Sequence, residues 1–338
     1  MSLTMKYKKL ALCALLLISC LLSLLIIEAL LRNGFLNTPP YKGHAAIREK
    51  LRRMKLYDTK VVWVGDSFSW PDEPSIETVG KKISDYFANR AIGFVNLALP
   101  GTGVPYYRDV IVQWSRYIKF NLTILNYYVG NDLTDTRWAW TGWYRYELLR
   151  FIQSSFLLSS LFESFSSFNL KNRVKVARRQ MAFNPSIKGV RNPMIVELGK
   201  QLPSYLLENL LMETPQSKAA WRKNMEILDE IDTVVKSSGG TLIINIFPST
   251  IQVNDSHKTF YEELGFYLDS RLFNSTIPQD RLLEFCRLRN LKCFDLLPVM
   301  KAKQPFEFYL PEDDHWNSAG HETAFEAIRA RIEAETLF

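Results

Sequence analysis

Five short, nearly unbroken apolar runs punctuate this chain: Lys60 to Val64, Phe94 to Ala98, Thr123 to Val129, Thr241 to Phe247 and Lys292 to Leu296. Their length and lack of alternation fit strands buried on both faces. Between them apolar residues return at helical spacing, most clearly in Ser75 to Asn89, Ala219 to Lys236, Gln279 to Arg289 and Ser318 to Glu333. Alternating strands and helices predict an α/β domain, a three-layer α/β/α sandwich around a mainly parallel five-stranded sheet. In such sheets chemistry gathers at the carboxyl ends of the strands.

Two segments depart from this alternation. Leu133 to Ser217 interrupts it after the third run, with Trp138, Trp140, Trp143, Tyr144 and Tyr146 ahead of the apolar, helix-like Phe151 to Phe168. Inserted beside a strand's carboxyl end, it predicts a cap or one wall of a substrate groove. Trp138, Trp140 and Trp143 either pack the insertion onto the core or offer flat apolar faces to a sugar ring or acyl chain. A further reading rests Phe151 to Phe168 in the membrane or against a membrane partner.

The other departure is Leu10 to Leu31, an apolar run of 22 residues broken only by small polar side chains and Glu28. It is long enough to span a bilayer as a helix. It follows Lys6, Lys8 and Lys9, exceeds a secretory apolar core and lacks a small-residue cleavage site, which predicts an uncleaved signal anchor. Leu17-Ile18-Ser19-Cys20 has the look of a lipidation site, but apolar residues continue where a lipoprotein turns polar. Lys and Arg flank both ends of the run, so charge leaves its orientation open. The expected organisation is residues 1–31 as tail and anchor, 32–57 as basic linker, and 58–338 as the main domain with its insertion at about 133–217. His44 to Leu56 reads either as a helix lying on anionic headgroups or as a solvated basic linker.

At 338 residues and 47% hydrophobic content the chain can bury one large core. Its net charge of +7 is spread over the anchor flank and Lys171 to Arg179, with no nucleic-acid module around it. A membrane surface or an anionic glycan suits it better, and nucleic acid is not expected as a partner. Of four cysteines, Cys13 and Cys20 fall in the apolar run. Cys286 and Cys293 read first as two buried thiols, with a disulfide as the alternative in an oxidising compartment. No P-loop, dinucleotide glycine pattern or HExxH occurs, and no cofactor or metal is expected.

Candidate chemistry lies at two distant points. Val61-Val62-Trp63-Val64-Gly65-Asp66-Ser67 places a serine where a buried strand gives out, and Asp313-Asp314-His315-Trp316-Asn317 offers an imidazole beside carboxylates. A serine hydroxyl becomes a useful nucleophile only when a base takes its proton and a carboxylate orients that base. Ser67 is the expected nucleophile, His315 the base and Asp313 the acid, with Asp314 close enough to be considered. Of the other histidines, His44 lies just past the anchor, His257 in a polar loop and His321 inside the final helix. Asn317 is a plausible N-cap for that helix.

Four blocks occur in order: Gly65-Asp66-Ser67-Phe68, Gly101 in Leu99-Pro100-Gly101-Thr102-Gly103, Gly130-Asn131-Asp132, and Asp313-Asp314-His315. In these the chain resembles an SGNH (GDSL-type) hydrolase over roughly residues 58 to 133 and 219 to 335. The resemblance implies the flavodoxin-like fold of that family and an oxyanion hole from Ser67, Gly101 and Asn131. It also implies a serine esterase or O-acyltransferase working on an envelope polysaccharide or lipid, outside the cytoplasm, beside a multi-span membrane acyltransferase partner. Two departures stand out. Phe68 replaces the leucine of the GDSL signature, and Glu312 stands where many members carry the triad aspartate, which makes Glu312 an alternative acid. A catalytically silent scaffold that keeps the fold is the other reading of the same resemblance.

Overall fold

A computed structural model of the chain describes residues 3–32, 44–71, 76–139, 192–303 and 307–335. Two compact units are present, Met1–Glu49 with Gly142–Asn172, and Lys50–Thr141 with Arg173–Phe338. In the first, helix α1 covers Leu3–Arg32. Its side chains are described from Ala14 to Leu30, and Leu15, Leu17, Ile18 and Leu25 among them are exposed. Among the described residues no helix is long and apolar enough to cross a membrane.

The second unit holds a five-stranded, all-parallel sheet in the order β2-β1-β3-β4-β5. The strands are β1 (Lys60–Val64), β2 (Gly93–Asn96), β3 (Leu122–Tyr128), β4 (Thr241–Phe247) and β5 (Lys292–Asp295). All seven residues of β3 are buried, as are six of seven in β4, which is why these strands read as continuous apolar runs rather than alternations. The polar exceptions satisfy one another. Asn245 Nδ2 donates to Asn126 Oδ1 at 2.8 Å, and Asn126 Nδ2 donates to the Val64 carbonyl at 3.0 Å.

Helix α2 (His44–Met54) precedes β1. The main connections are α3 (Val79–Ala88) between β1 and β2, α4 (Val104–Ser115) between β2 and β3, α5 (Asp132–Ala139) and α6 (Pro215–Ser237) between β3 and β4, α7 (Ile277–Arg289) between β4 and β5, and α8 (Ser318–Ala334) after β5. Helices α3 and α8 pack together, as do α4 and α6. Right-handed crossovers put the first pair on one face and the second on the other, because the path reverses direction across β1. The result is the three-layer sandwich.

Caps explain where helices begin. The predicted helix from Ser75 starts at Val79, because Thr78 stays extended and accepts the Lys81 N–H. Asn317 caps α8 by accepting the Gly320 N–H at 3.0 Å. Strand β2 ends earlier than its apolar run, yet Leu97 and Leu99 go on donating to the Trp63 and Gly65 carbonyls. The chain therefore stays beside β1 past the last ladder pair.

One expectation is corrected. Cys286 and Cys293 are joined as a disulfide that ties α7 to β5, rather than lying as two thiols. Within the His44 to Leu56 segment, Leu51 and Met54 of α2 are buried, with Met54 against the start of β2, whereas Leu56 is exposed. Trp138's side chain, Trp140, Trp143, Phe151 to Phe168 and Lys171 to Arg179 lie outside the described residues.

Candidate active site

The sheet order places β1 and β3 side by side while their crossovers run to opposite faces, which opens a crevice at their carboxyl ends. Ser67 leaves β1 there, Gly101 follows β2, and Asn131 follows β3.

The Ser67 turn is a single 3-10 turn, Ser67–Ser69, capped by Asp66, whose Oδ1 accepts the Phe68 N–H at 3.0 Å. Its far end is pinned through the Ser69 carbonyl, which accepts from Trp63 Nε1 at 3.2 Å and Asn96 Nδ2 at 2.9 Å. Gly65 has to be glycine, since a Cβ there would run into the Ser69 side chain. Asp66 also reaches across the crevice: its Oδ2 accepts Asn131 Nδ2 at 3.2 Å. Burial pushes Asp66 up to about 6, an effect that the Phe68 N–H, the charge of His315 and the Asn131 amide offset in part.

His315 arrives from the far side on the loop ahead of α8. Its Nε2 lies 2.7 Å from Ser67 Oγ and its Nδ1 lies 2.8 Å from Asp313 Oδ1. A carboxylate only accepts, so Nδ1 carries the proton and the serine hydroxyl donates to Nε2. Asp314 adds a second carboxylate, with Oδ1 at 3.2 Å from the same Nδ1. Burial opposes charge on the imidazole, but the hydrogen bond to Asp313 and the charges of Asp314 and Asp313 outweigh it and hold His315 well above its ordinary range. Phe68 stacks on the imidazole, centroids 5.0 Å apart and planes at 22°, and packs against Tyr128 and Trp316. The phenylalanine in place of the signature leucine therefore forms an aromatic floor under His315.

Past the ends of β2 and β3, Gly101 adopts φ +71°, a left-handed conformation natural to glycine. Among the described residues neither the Ser67 nor the Gly101 N–H has a protein acceptor. The Asn131 amide keeps one N–H beyond the one given to Asp66. Asp132 is buried and holds the loop by accepting the Tyr128 N–H and the Tyr107 hydroxyl at 3.0 and 2.8 Å. Asp135, one turn after Asn131 and against Gly103, is pushed up to about 7 by burial and by Asp66.

The structure thus brings Ser67, His315 and Asp313 into one hydrogen-bonded relay and sets Asp314 beside it. Glu312 is exposed and makes no hydrogen bond to the imidazole among the described residues. Asp313, Asp314 and His315 also bring one ligand atom each within 4.8 Å of one another, but a cation there would have to displace the Nδ1 proton. Sequence reasoning missed the Asp66–Asn131 bridge and the burial of His257, which is 4% exposed rather than in an open polar loop. Only the cap position of Asp66 signalled the first, and nothing local signalled the second. His321 is also buried; its Nδ1 accepts the Val79 N–H at 3.2 Å.

No family model matches the chain, and no curated protein matches it. Among solved structures, it is similar to a GDSL-like lipase from Bacteroides thetaiotaomicron, at 12% identity over 88% of this chain and 98% of that one, TM-score 0.41. A catalytic mutant of an acetylxylan esterase from Geobacillus stearothermophilus gives 12% identity over 82% and 94%, TM-score 0.41. A member of the lipolytic protein G-D-S-L family from Veillonella parvula gives 12% over 80% and 97%, TM-score 0.40. The functional reading therefore rests on this chain's own residues.

Proposed function

We propose that this chain is a serine-dependent ester hydrolase or O-acyltransferase of the SGNH type. The observation that carries the proposal is the unbroken relay from Ser67 Oγ through His315 to Asp313, at 2.7 and 2.8 Å. A binding module has no use for a serine hydroxyl aimed at an imidazole that a carboxylate orients.

In the first half-reaction Ser67 Oγ bonds to the ester carbonyl carbon as its proton passes to His315 Nε2. The carbonyl oxygen becomes an oxyanion, and the Ser67 and Gly101 N–H groups with the free Asn131 N–H are the donors proposed for it. One well-placed donor of this kind is worth about 3 kcal/mol of barrier. Collapse breaks the bond to the leaving alcohol, which takes the proton from Nε2. In the second half-reaction water or an acceptor hydroxyl gives its proton to Nε2 and attacks the acyl-enzyme, and Ser67 regains a proton as it leaves. Water makes the chain an esterase, and a sugar hydroxyl makes it a transferase. The acyl group is proposed to be short, acetyl or similar, on a cell-envelope polysaccharide or glycolipid.

The proposed setting is a single-pass membrane protein with its catalytic unit outside the cytoplasm. Residues 10–31 supply the anchor in this reading, and the Cys286–Cys293 disulfide supports an oxidising compartment. A multi-span acyltransferase is the proposed partner, delivering the acyl group, and Trp138, Trp140 and Trp143 are proposed to wall the substrate groove.

Labelling of the full-length chain by a fluorophosphonate tests the reading, with Ser67→Ala and His315→Ala alongside and turnover of a short acyl ester measured with and without sugar acceptors. Labelling that both variants lose is the expected result. A folded wild-type chain that takes up no label and turns over no ester would sink it.

A further inference from the structure

Leu310 is the hub of the loop that carries both Asp313 and His315. Its N–H donates to the His315 carbonyl at 2.9 Å, and its own carbonyl accepts the Asp313 N–H at 3.1 Å. That same carbonyl receives another bond, from Nε2 of His257 at 2.9 Å, out of a segment 53 positions earlier in the chain. A carbonyl only accepts, so Nε2 carries the His257 proton, and Nδ1 faces the Ser256 hydroxyl at 3.4 Å.

Two features separate this contact from ordinary packing. His257 is buried edge-on to Tyr309 and Phe260, at ring centroid distances of 6.1 and 5.8 Å, a site that a wholly apolar ring would fill equally well. The Leu310 carbonyl, moreover, already has the Asp313 N–H, so it does not need His257 to avoid an unmet acceptor. What the imidazole adds is direction. It fixes the plane of the 310–311 peptide, and through it the turn that sets the Asp313 carboxylate under His315 Nδ1. The neighbouring contacts act elsewhere on the loop: Tyr309 Oη donates to the Pro248 carbonyl at 2.8 Å, and Thr250 Oγ1 to the Asp314 carbonyl at 3.2 Å.

We propose that His257 is a positioning residue of the candidate active site, bracing the Leu310–Asp313 turn so that Asp313 and His315 stay in register. The kinetic consequence rests on the hydrolase reading; the geometric one does not. Misplacing reacting groups by about 1 Å costs on the order of 100-fold in rate, so a loosened turn shows first in kcat.

The test uses the full-length chain with His257→Phe, which keeps the ring and loses the donor, and His257→Gln, which keeps a donor. Should His257→Phe fail to fold, His257→Leu replaces it. Two readouts are taken: kcat and KM on a short acyl ester, and the titration of His315 followed by NMR on histidine-labelled protein. His257→Phe is expected to lower kcat roughly 10- to 100-fold with KM within about twofold, and to move the His315 titration to lower pH, while His257→Gln stays near wild type. Wild-type kcat and an unmoved His315 titration in a folded His257→Phe chain, or equal losses in the Phe and Gln variants, overturn the proposal. If the wild-type chain turns over no ester but the titration still moves in Phe and not in Gln, the brace stands and the hydrolase reading falls.

Discussion

Ser67 and His315 meet at one point in the crevice, but the chain holds them there by different means. The Ser67 turn grows directly out of β1, and most of what pins it comes from strands on either side: Leu99 on the Gly65 carbonyl, Asn126 on the Val64 carbonyl, Asn96 and Trp63 on the Ser69 carbonyl. The His315 loop follows no strand of the sheet. It closes on itself through Leu310, pairs Tyr309 with Trp316 in an isolated bridge, and leans on Pro248, Thr250 and His257 after β4. Ser67 is thus fixed by bonds from the sheet, and His315 by its loop's own backbone bonds together with side-chain bonds to the segment after β4. Damage to the first costs stability and activity together, whereas damage to the second separates them.

The largest expected effect exploits that separation. Asp313→Asn leaves the fold in place and lowers kcat by roughly 10,000-fold, because an amide at that position no longer favours the Nδ1–H form of the imidazole. Gly65→Ala puts a methyl into the Ser69 side chain and is expected to lower the thermal midpoint along with activity. Melting curves and steady-state turnover of both variants check the contrast. If Asp313→Asn melted as early as Gly65→Ala, the loop would be as structural as the turn.

Asn131→Ala probes the bridge between the Ser67 turn and the β3 end. Loss of the donor proposed for the oxyanion is expected to cost about 100- to 1,000-fold in kcat, and loss of the partner for Asp66 Oδ2 frees one end of the cap. A measured loss of less than tenfold, with the chain folded, would assign Asn131 to the cap alone.

His321 joins the two regions, since it sits on α8 just after the His315 loop and its Nδ1 accepts the Val79 N–H that opens α3. Burial, with smaller contributions from the charges of His315 and Lys82, pushes His321 down to about 4 from its ordinary 6.5. The unfolded chain therefore takes up this proton first as pH falls. Stability from His321 is fully present above about pH 6.5 and is lost on descending to about pH 4, up to roughly 3 kcal/mol. Asp66 and Asp135, raised to about 6 and about 7 by burial, work in the opposite sense, so the readout is a difference. His321→Asn keeps an acceptor for Val79 and does not titrate. Denaturant unfolding at pH 7 and pH 4.5 is expected to show the wild type losing stability relative to this variant, and parallel curves would refute it.

The same contrast explains what the sequence could show. Strand-fixed features were legible because they follow from local pattern: the five apolar runs, the blocks at Ser67, Gly101 and Asn131 just past strand ends, and the Asn317 cap. Pairings across the fold were not. Nothing near His257 announces that it will donate to a carbonyl 53 residues away, and nothing near Cys286 decides between a thiol and a bond to Cys293 until α7 and β5 are set side by side. Phe68 read as a departure from a signature, and only the placement of His315 makes it a stacking partner.

The smallest expected effect concerns the second carboxylate, and it asks how finely the loop tunes its base. Asp313 and Asp314 lie 2.8 and 3.2 Å from the same Nδ1, and together they hold His315 well above the ordinary imidazole range against the opposing effect of burial. As the proposed base, His315 acts only when Nε2 is free of a proton, so kcat/KM is expected to rise with pH along a limb displaced to the alkaline side of an ordinary histidine. Asp314→Asn removes one of the two charges that favour imidazolium while leaving the shorter bond to Asp313. That limb should then move to lower pH with little change in its plateau, whereas Asp313→Asn collapses the plateau. Should Asp314→Asn instead lower the plateau and leave the limb in place, Asp314 would be the orienting acid and Asp313 its support, reversing the order that the two distances imply.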